Sequence, residues 1–381
     1  MIRILAVGDL HCYQQSYERA AKGAVPDRLL EWEAVADALV DLAAGCSPQF
    51  IVFPGDLFIN SRPEPTAIAH VLELFSRLEE LGARVIACSG NHDWLGPNQQ
   101  SIVDVLRHWN PLWGITRPTA LAMDDWPIGI AVMPWQRQQD MDGAPDELAR
   151  DLADILSTRA PGKPRMLVGH WAIQGATYCT GVLSDEPAVS TAAARECGYS
   201  ACVMGHIHKP QVLSDDPLAL HTGTFTRAKI DEGRVPCGAY LIDMGSAGRT
   251  SYVFHELPAR PIVTLDLTQA ALVGSDEDAV LAEIGDVSGA IVVPRCELAD
   301  GVAPALSAGR LAELIEQAGA HHIAPLRVSV ARAVRGRAAE VDAELAPMSA
   351  FTAWCKANDV EHGRAARAGA ALKEILAEIG A

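Results

Sequence analysis

Five short polar motifs interrupt a largely apolar stretch of the chain: Asp9-Leu-His11, Gly55-Asp56, Gly90-Asn91-His92-Asp93, Gly169-His170 and Gly205-His206-Ile207-His208. Imidazole nitrogens combined with carboxylate and amide oxygens suit divalent transition metals. No thiolate belongs to the set, which argues against a structural zinc site. One carboxylate has two oxygens and can hold a cation on each, so a single Asp could bridge a metal pair. Two such ions, about 3.5–4 Å apart, polarise a phosphoester and bring the pKa of bound water towards neutrality. The glycines beside the candidate ligands let the backbone turn tightly there. A lone Asp or His at a strand end is usually a turn or capping residue. Five such motifs in series point instead to dinuclear phosphoester chemistry.

The elements that position them follow from apolar runs. Ile2–Val7, Phe50–Phe53, Arg84–Cys88, Ile128–Met133, Arg165–Val168 and Ala201–Met204 are expected buried strands, each ending where a motif or polar turn begins. Leu29–Leu42 and Ala67–Leu81 have helical spacing, the second closed by Gly82. This alternation predicts an α/β layered core with functional loops at the carboxyl ends of the strands. After Pro217 the pattern changes to strands at Leu218–Thr222, Cys237–Asp243 and Thr250–His255, expected to form a second sheet packed on the first. Pro258-Ala-Arg-Pro261 marks a boundary. Beyond it, strands at Ile262–Leu267, Ala290–Pro294 and Leu326–Ala331 alternate with helices at Glu277–Ile284 and Ala308–Ala318, and the segment from Arg335 to Ala381 is expected to be helical.

Bulk properties narrow the class. The composition is 49% hydrophobic and 21% charged over 381 residues, which predicts a globular chain of two or three domains. No apolar run is long enough to span a membrane, and Met1-Ile-Arg-Ile-Leu-Ala-Val reads as a first strand, not a signal peptide. The nine cysteines are scattered without a C-x-x-C pair, so reduced thiols in the cytoplasm are expected. The net charge of −17 argues against tight solitary DNA binding. Bound cations would reverse the local charge where catalysis happens, and a basic partner could supply DNA affinity.

The motif series resembles the calcineurin-like metallophosphoesterase superfamily. That resemblance implies a two-sheet sandwich flanked by helices, an α/β fold. It also implies one metal held by Asp9, His11, Asp56 and His208, and a second held by Asp56, Asn91, His170 and His206. His92 would then contact the scissile phosphate and protonate the leaving oxygen, while Asp93 orients His92 or a ligand. Flanking sequence is similar to the SbcD family of nuclease subunits: His170-Trp-Ala-Ile-Gln-Gly-Ala176, Leu183-Ser-Asp185, the run from Gly198 to Gln211, His221-Thr-Gly-Thr-Phe225, Ile230-Asp-Glu232 and Phe254-His-Glu-Leu-Pro258.

The resemblance implies a nuclease domain over residues 1–260, a small α/β capping domain over 261–335, and a helical segment over 336–381 that docks on an SbcC-like coiled-coil ATPase. Phe351, Trp354 and Cys355, then Leu372, Ile375, Leu376 and Ile379, form apolar stripes suited to such docking or to packing within the chain. The expected reaction is cleavage of DNA (ends, single strands or hairpins) by hydroxide held at two divalent ions. Manganese is favoured, with iron or zinc as alternatives. A homodimer through the Ser101–His108 region is also expected. The rival readings are a phosphoesterase acting on small diesters or phosphoproteins, and a non-catalytic scaffold for DNA ends. Trp94, Trp135 and Trp171 lie beside motif residues and could stack on a base or simply pack the rim.

Overall fold

The computed structural model describes every residue except 14–25, 97–98, 138–142, 180, 183–186, 234, 246–248, 275, 300–301, 303, 332–346, 359 and 379–381. Leu183–Asp185, Ile379 and the expected boundary at 335/336 therefore lie outside the described residues.

Two sheets face each other. The first runs in the order Thr250–Glu256, Gly238–Met244, Ile2–Val7, Phe50–Phe53, Arg84–Ala87. The second runs Gln211–Asp215, Leu218–His221, Ala201–Met204, Arg165–Gly169, Gly129–Met133, Thr119–Leu121. The period-2 alternation of a strand explains the layering. Ile2, Ile4 and Ala6 point inward, sharing one core with Ile130, Val132, Met166, Val168 and Val203 of the second sheet. Leu5 and Val7 point outward, against Trp32, Val35, Leu39, Val71 and Phe75 of the helices Asp27–Cys46 and Pro65–Glu80. On the far side, Ala131, Met133, Leu167 and Cys202 pack on Ala149, Leu152 and Leu156 of the helix Pro145–Arg159. Each such buried Leu, Ile, Val or Met contributes about 1.5–3 kcal/mol of transfer free energy. The protein is thus an α/β two-sheet sandwich with helices outside.

One topological expectation is corrected. The strands after Pro217 do not form a sheet of their own. Leu218–His221 joins the second sheet beside Ala201–Met204, while Gly238–Met244 pairs antiparallel with Ile2–Val7 in the first, where Thr250–Glu256 forms the edge. Pairing decides sheet membership: Leu218–His221 stays with near neighbours in sequence, whereas the partner of Gly238–Met244 is the first strand of the chain.

Beyond Pro261, Ile262–Leu267, Ile291–Ala299, His322–Ile323 and Arg327–Ala331 form a parallel sheet. It has its own core, in which Leu265, Leu267, Val292 and Cys296 meet Val280, Ile284, Leu311, Leu314 and Ile315 from the helices Glu277–Ile284 and Ala308–Gln317. Asp276 and Ser307 cap those helices by accepting backbone N–H groups of the first turn. His321 of this unit meets Asp27 of the first helix at 2.5 Å, and Arg260, just before the unit, joins its amide to Glu31 Oε1 (3.0 Å) and its guanidinium to the Gly289 carbonyl (2.7 Å). Helices Pro347–Ala357 and His362–Glu378 follow, with Cys355 buried and Trp354 exposed. Among the described residues, no helix is long and apolar enough to cross a membrane. The nine cysteines are free thiols.

Candidate metal centre

The five motifs sit on turns that converge between the carboxyl ends of both sheets. Three of their residues hold backbone conformations that side-chain-bearing residues rarely adopt: His11 (φ 38°), Asp56 (φ 45°) and His206 (φ 78°). Such strain clusters at functional sites. The glycines matter sterically as well. A Cβ on Gly55 would lie 2.3 Å from His170 Nδ1, and one on Gly90 would lie 2.1 Å from Asp56 Oδ1.

The side chains form two groups that meet at Asp56. In the first, ligating atoms of Asp9, His11, Asp56 and His208 all lie within 4.8 Å of one another. In the second, Asn91 Oδ1 lies 3.0 Å from both His170 Nε2 and His206 Nδ1. Asp56 Oδ2 stands 3.6 Å from His11 Nε2 and 3.3 Å from His170 Nε2, so one oxygen faces both groups. Its other oxygen accepts the His92 amide at 2.8 Å.

Proton placement shows that this arrangement fits cations. His170 Nδ1 lies 3.0 Å from the Pro54 carbonyl and must donate to it. Its Nε2 is then a lone pair directed at Asn91 Oδ1 and Asp56 Oδ2, which also carry lone pairs. His208 Nδ1 donates to Glu232 Oε1 at 2.6 Å, leaving its Nε2 lone pair 2.9 Å from His11 Nε2. Either tautomer of His11 leaves something unmet, because its buried Nδ1 has no partner; nor does Asp9 Oδ1. Lone pairs converging in a buried space are costly unless a positive ion sits among them. The neutral state of the rings suits this role: burial lowers His170 and brings His11 down to about 3. The carboxylates carry the opposite stress. Burial, and then Asp56, push Asp9 well above the usual range. Burial also pushes Asp56 up, but the adjacent His170 and His11 outweigh it and hold this carboxyl low.

His92 is placed beside this cluster, its ring edge-on to His11 with centroids 4.8 Å apart. Its Nδ1 donates to the Ile59 carbonyl at 2.9 Å. Of the two roles expected for Asp93, orienting His92 or a ligand, its contacts fit the second. Its carboxylate accepts the amides of Leu57 (3.1 Å), Phe58 (3.0 Å) and Gly90 (2.9 Å), and so binds loop backbone instead of the His92 ring. It fastens the Asp56 turn to the Asn91 turn. Burial, and then Asp56, raise its pKa to about 7.

Two contributors were not assigned roles from sequence. Glu232, on a one-turn 3-10 helix (Ile230–Glu232), holds His208 through Oε1 and accepts the Ala228 and Lys229 amides (2.6 and 3.0 Å) through Oε2. Burial pushes this carboxyl up, but the bond to His208 keeps it below its ordinary value. His221, wholly buried, donates from Nδ1 to the Gly205 carbonyl and accepts the Ile173 amide at Nε2, bracing the turns around His206 and His170. Both lie in segments flagged by the SbcD likeness, which was the available signal.

The calcineurin-like phosphoesterase pattern matches residues 2–210, over half of the chain. The protein therefore belongs to that family, whose members are hydrolases of phosphoric esters. A curated relative, the DNA double-strand break repair protein Mre11 of Aeropyrum pernix, is 22% identical over 276 residues, covering 68% of this chain. The match spans 62% of that protein, less than two thirds of its length. Similar solved structures include TT1561 of Thermus thermophilus (TM-score 0.40, 14% identity, 66% of this chain and 98% of that one). Another is a dimetal phosphatase from Danio rerio (TM-score 0.39, 10% identity, 67% and 99%).

Proposed function

We propose that the chain is a metal-dependent DNA nuclease that hydrolyses phosphodiester bonds. The observation that carries the chemistry is the pair of donor groups sharing Asp56, with His92 alongside. Asp9, His11, Asp56 and His208 would hold one cation; Asp56, Asn91, His170 and His206 would hold the other. Manganese suits this histidine-rich set, with iron or zinc as alternatives, because magnesium prefers all-oxygen coordination. When bound, the pair would supply Lewis acidity and water activation at neutral pH.

The protein's own groups do the rest. His92 Nδ1 is committed to the Ile59 carbonyl, so the proton it exchanges resides on Nε2, from which it is delivered to the leaving oxygen. Asp93 fixes the two turns, and Glu232 fixes the ring of His208.

The choice of DNA is supported by the likeness to a break-repair protein and by the parallel α/β unit that follows the sandwich. On this reading residues 1–260 are the nuclease domain, 261–335 cap the substrate, and 336–381 dock on a coiled-coil ATPase. Such a partner would compensate the net charge of −17. Pairing of two copies through Ser101–His108 and a reducing, cytoplasmic setting belong to the same proposal. The test is hydrolysis by the manganese-loaded protein of single-stranded, duplex-end and hairpin DNA, against a simple phosphomonoester. Cleavage of DNA in preference to the monoester is expected. Strong monoesterase activity without DNA cleavage would overturn the nuclease reading.

A further inference from the structure

The turns that carry the metal-site residues also carry an aromatic wall that the chemistry above does not use. Trp94 lies two residues beyond His92, and Trp171 directly follows His170. The Trp135 amide donates at 3.0 Å to Ser89, the residue before Gly90. The Trp94 and Trp135 rings meet edge to face with centroids 5.5 Å apart, and the Arg137 guanidinium lies 4.4 Å from the Trp94 ring centroid. Trp135, Arg137, Trp171, Pro187 and His206 border a cavity of about 200 Å³. His206 is the wall shared with the metal centre, since its Nδ1 lies 3.0 Å from Asn91 Oδ1.

The lining has a defined character. Trp171 is buried, and its indole N–H is satisfied by the Pro134 carbonyl at 3.1 Å, so it offers the cavity only carbon surface. Trp135 is half-buried and Arg137 is exposed at the rim. The volume falls below the roughly 300–1,000 Å³ of sites that enclose a drug-sized ligand. It is suited to one planar ring. Aromatic faces bind bases of any sequence by stacking, and an arginine held on an aromatic ring is pre-set to meet a phosphate. In a chain of net charge −17, such a cation beside the centre is a specific local feature.

We infer that this cavity is a nucleobase subsite: the base next to the scissile phosphate leaves its stack and packs on Trp135, while Arg137 meets the flanking phosphate. The inference rests on the nuclease reading and adds a substrate feature to it, an unpaired nucleotide at the cleavage position.

The test uses the full chain with manganese and single-stranded oligonucleotides carrying one abasic residue stepped across the cleavage position. The wild type should cleave the base-bearing strand about 10- to 100-fold faster than the strand abasic at one position next to the cut. Trp135→Ala should collapse that ratio towards one, Trp135→Phe should keep most of it, and Arg137→Ala should weaken binding of both strands. A wild type indifferent to the missing base, or a Trp135→Ala ratio unchanged from wild type, would overturn the proposal. A second measurement separates this idea from the nuclease reading: calorimetric binding of thymidine 5′-monophosphate against inorganic phosphate. If no DNA is cut but the nucleotide binds at least 10-fold tighter through Trp135, the subsite stands and the nuclease reading falls. If the nucleotide has no advantage either, both fall.

Discussion

Replacing Glu232 by Gln should cost metal binding at one position while leaving the fold intact, and the hydrogen bonds around it say why. Gln offers one acceptor oxygen and one donor NH₂ where Glu232 uses two acceptors. If the oxygen faces His208 Nδ1–H, the NH₂ confronts the amide donors of Ala228 and Lys229. If the oxygen keeps those amides, the NH₂ confronts only His208. Each buried donor left unmet costs about 1–3 kcal/mol, so the second orientation is preferred. His208 then relieves the clash by moving its proton to Nε2, the nitrogen that faces His11 at 2.9 Å and would ligate a cation. Losing a carboxylate partner of a metal-bound histidine typically weakens binding 10- to 100-fold, or about 1.4–2.7 kcal/mol. Manganese titration by calorimetry on the full chain should show one site weakened by that factor and the other near wild type. Denaturant unfolding in EDTA should be little changed. Wild-type affinity at both sites, or loss of both together with the fold, would refute the reasoning.

Three other outcomes are expected. His92→Ala should lower kcat on DNA by about 10²- to 10⁴-fold with metal content unchanged by elemental analysis; loss of metal would show that His92 is itself a ligand. Gly90→Ala places a Cβ 2.1 Å from Asp56 Oδ1 and 2.3 Å from its backbone nitrogen, so stability should fall by about 1–3 kcal/mol in urea unfolding, with weaker metal binding. His221, brought down to about 3 by burial, stays neutral in the fold and takes up a proton on unfolding as pH drops below about 6.5. The metal-free wild type should therefore lose about 2 kcal/mol relative to His221→Gln between pH 6.5 and 5; a difference that does not vary with pH would refute this.

Much of this was legible because local pattern and chemistry coincide. Apolar runs such as Ile4–Val7 and Phe50–Phe53 have few alternatives to a doubly covered strand, and the motifs follow them directly. Sheet membership was not legible, because the partner of Gly238–Met244 is the first strand of the chain, and no local pattern names a partner so distant. The helix Pro145–Arg159 was not among the expected elements, although Pro145 in its first turn followed by Asp146 and Glu147 carries a start signal. For Asp93 the sequence left two roles open, orienting His92 or a ligand, because adjacency alone does not say which way a turn directs its carboxylate. The work of Glu232 depends on a one-turn 3-10 helix that brings it to a ring 24 residues upstream. Asp and His adopt positive φ more often than most side-chain-bearing residues, but residue type alone does not single out His11, Asp56 and His206.

The Asp93 carboxylate, holding Leu57, Phe58 and Gly90 at once, has a consequence for how ions come and go. It clamps the turns bearing Asp56 and Asn91 to each other through protein–protein hydrogen bonds alone. Ordering of those turns therefore does not wait for a cation, and the entropy of fixing them is not charged against ion capture. Ion exchange should then proceed in a pre-shaped socket, so that a chelator strips the ions reversibly and re-addition restores the centre without a refolding phase.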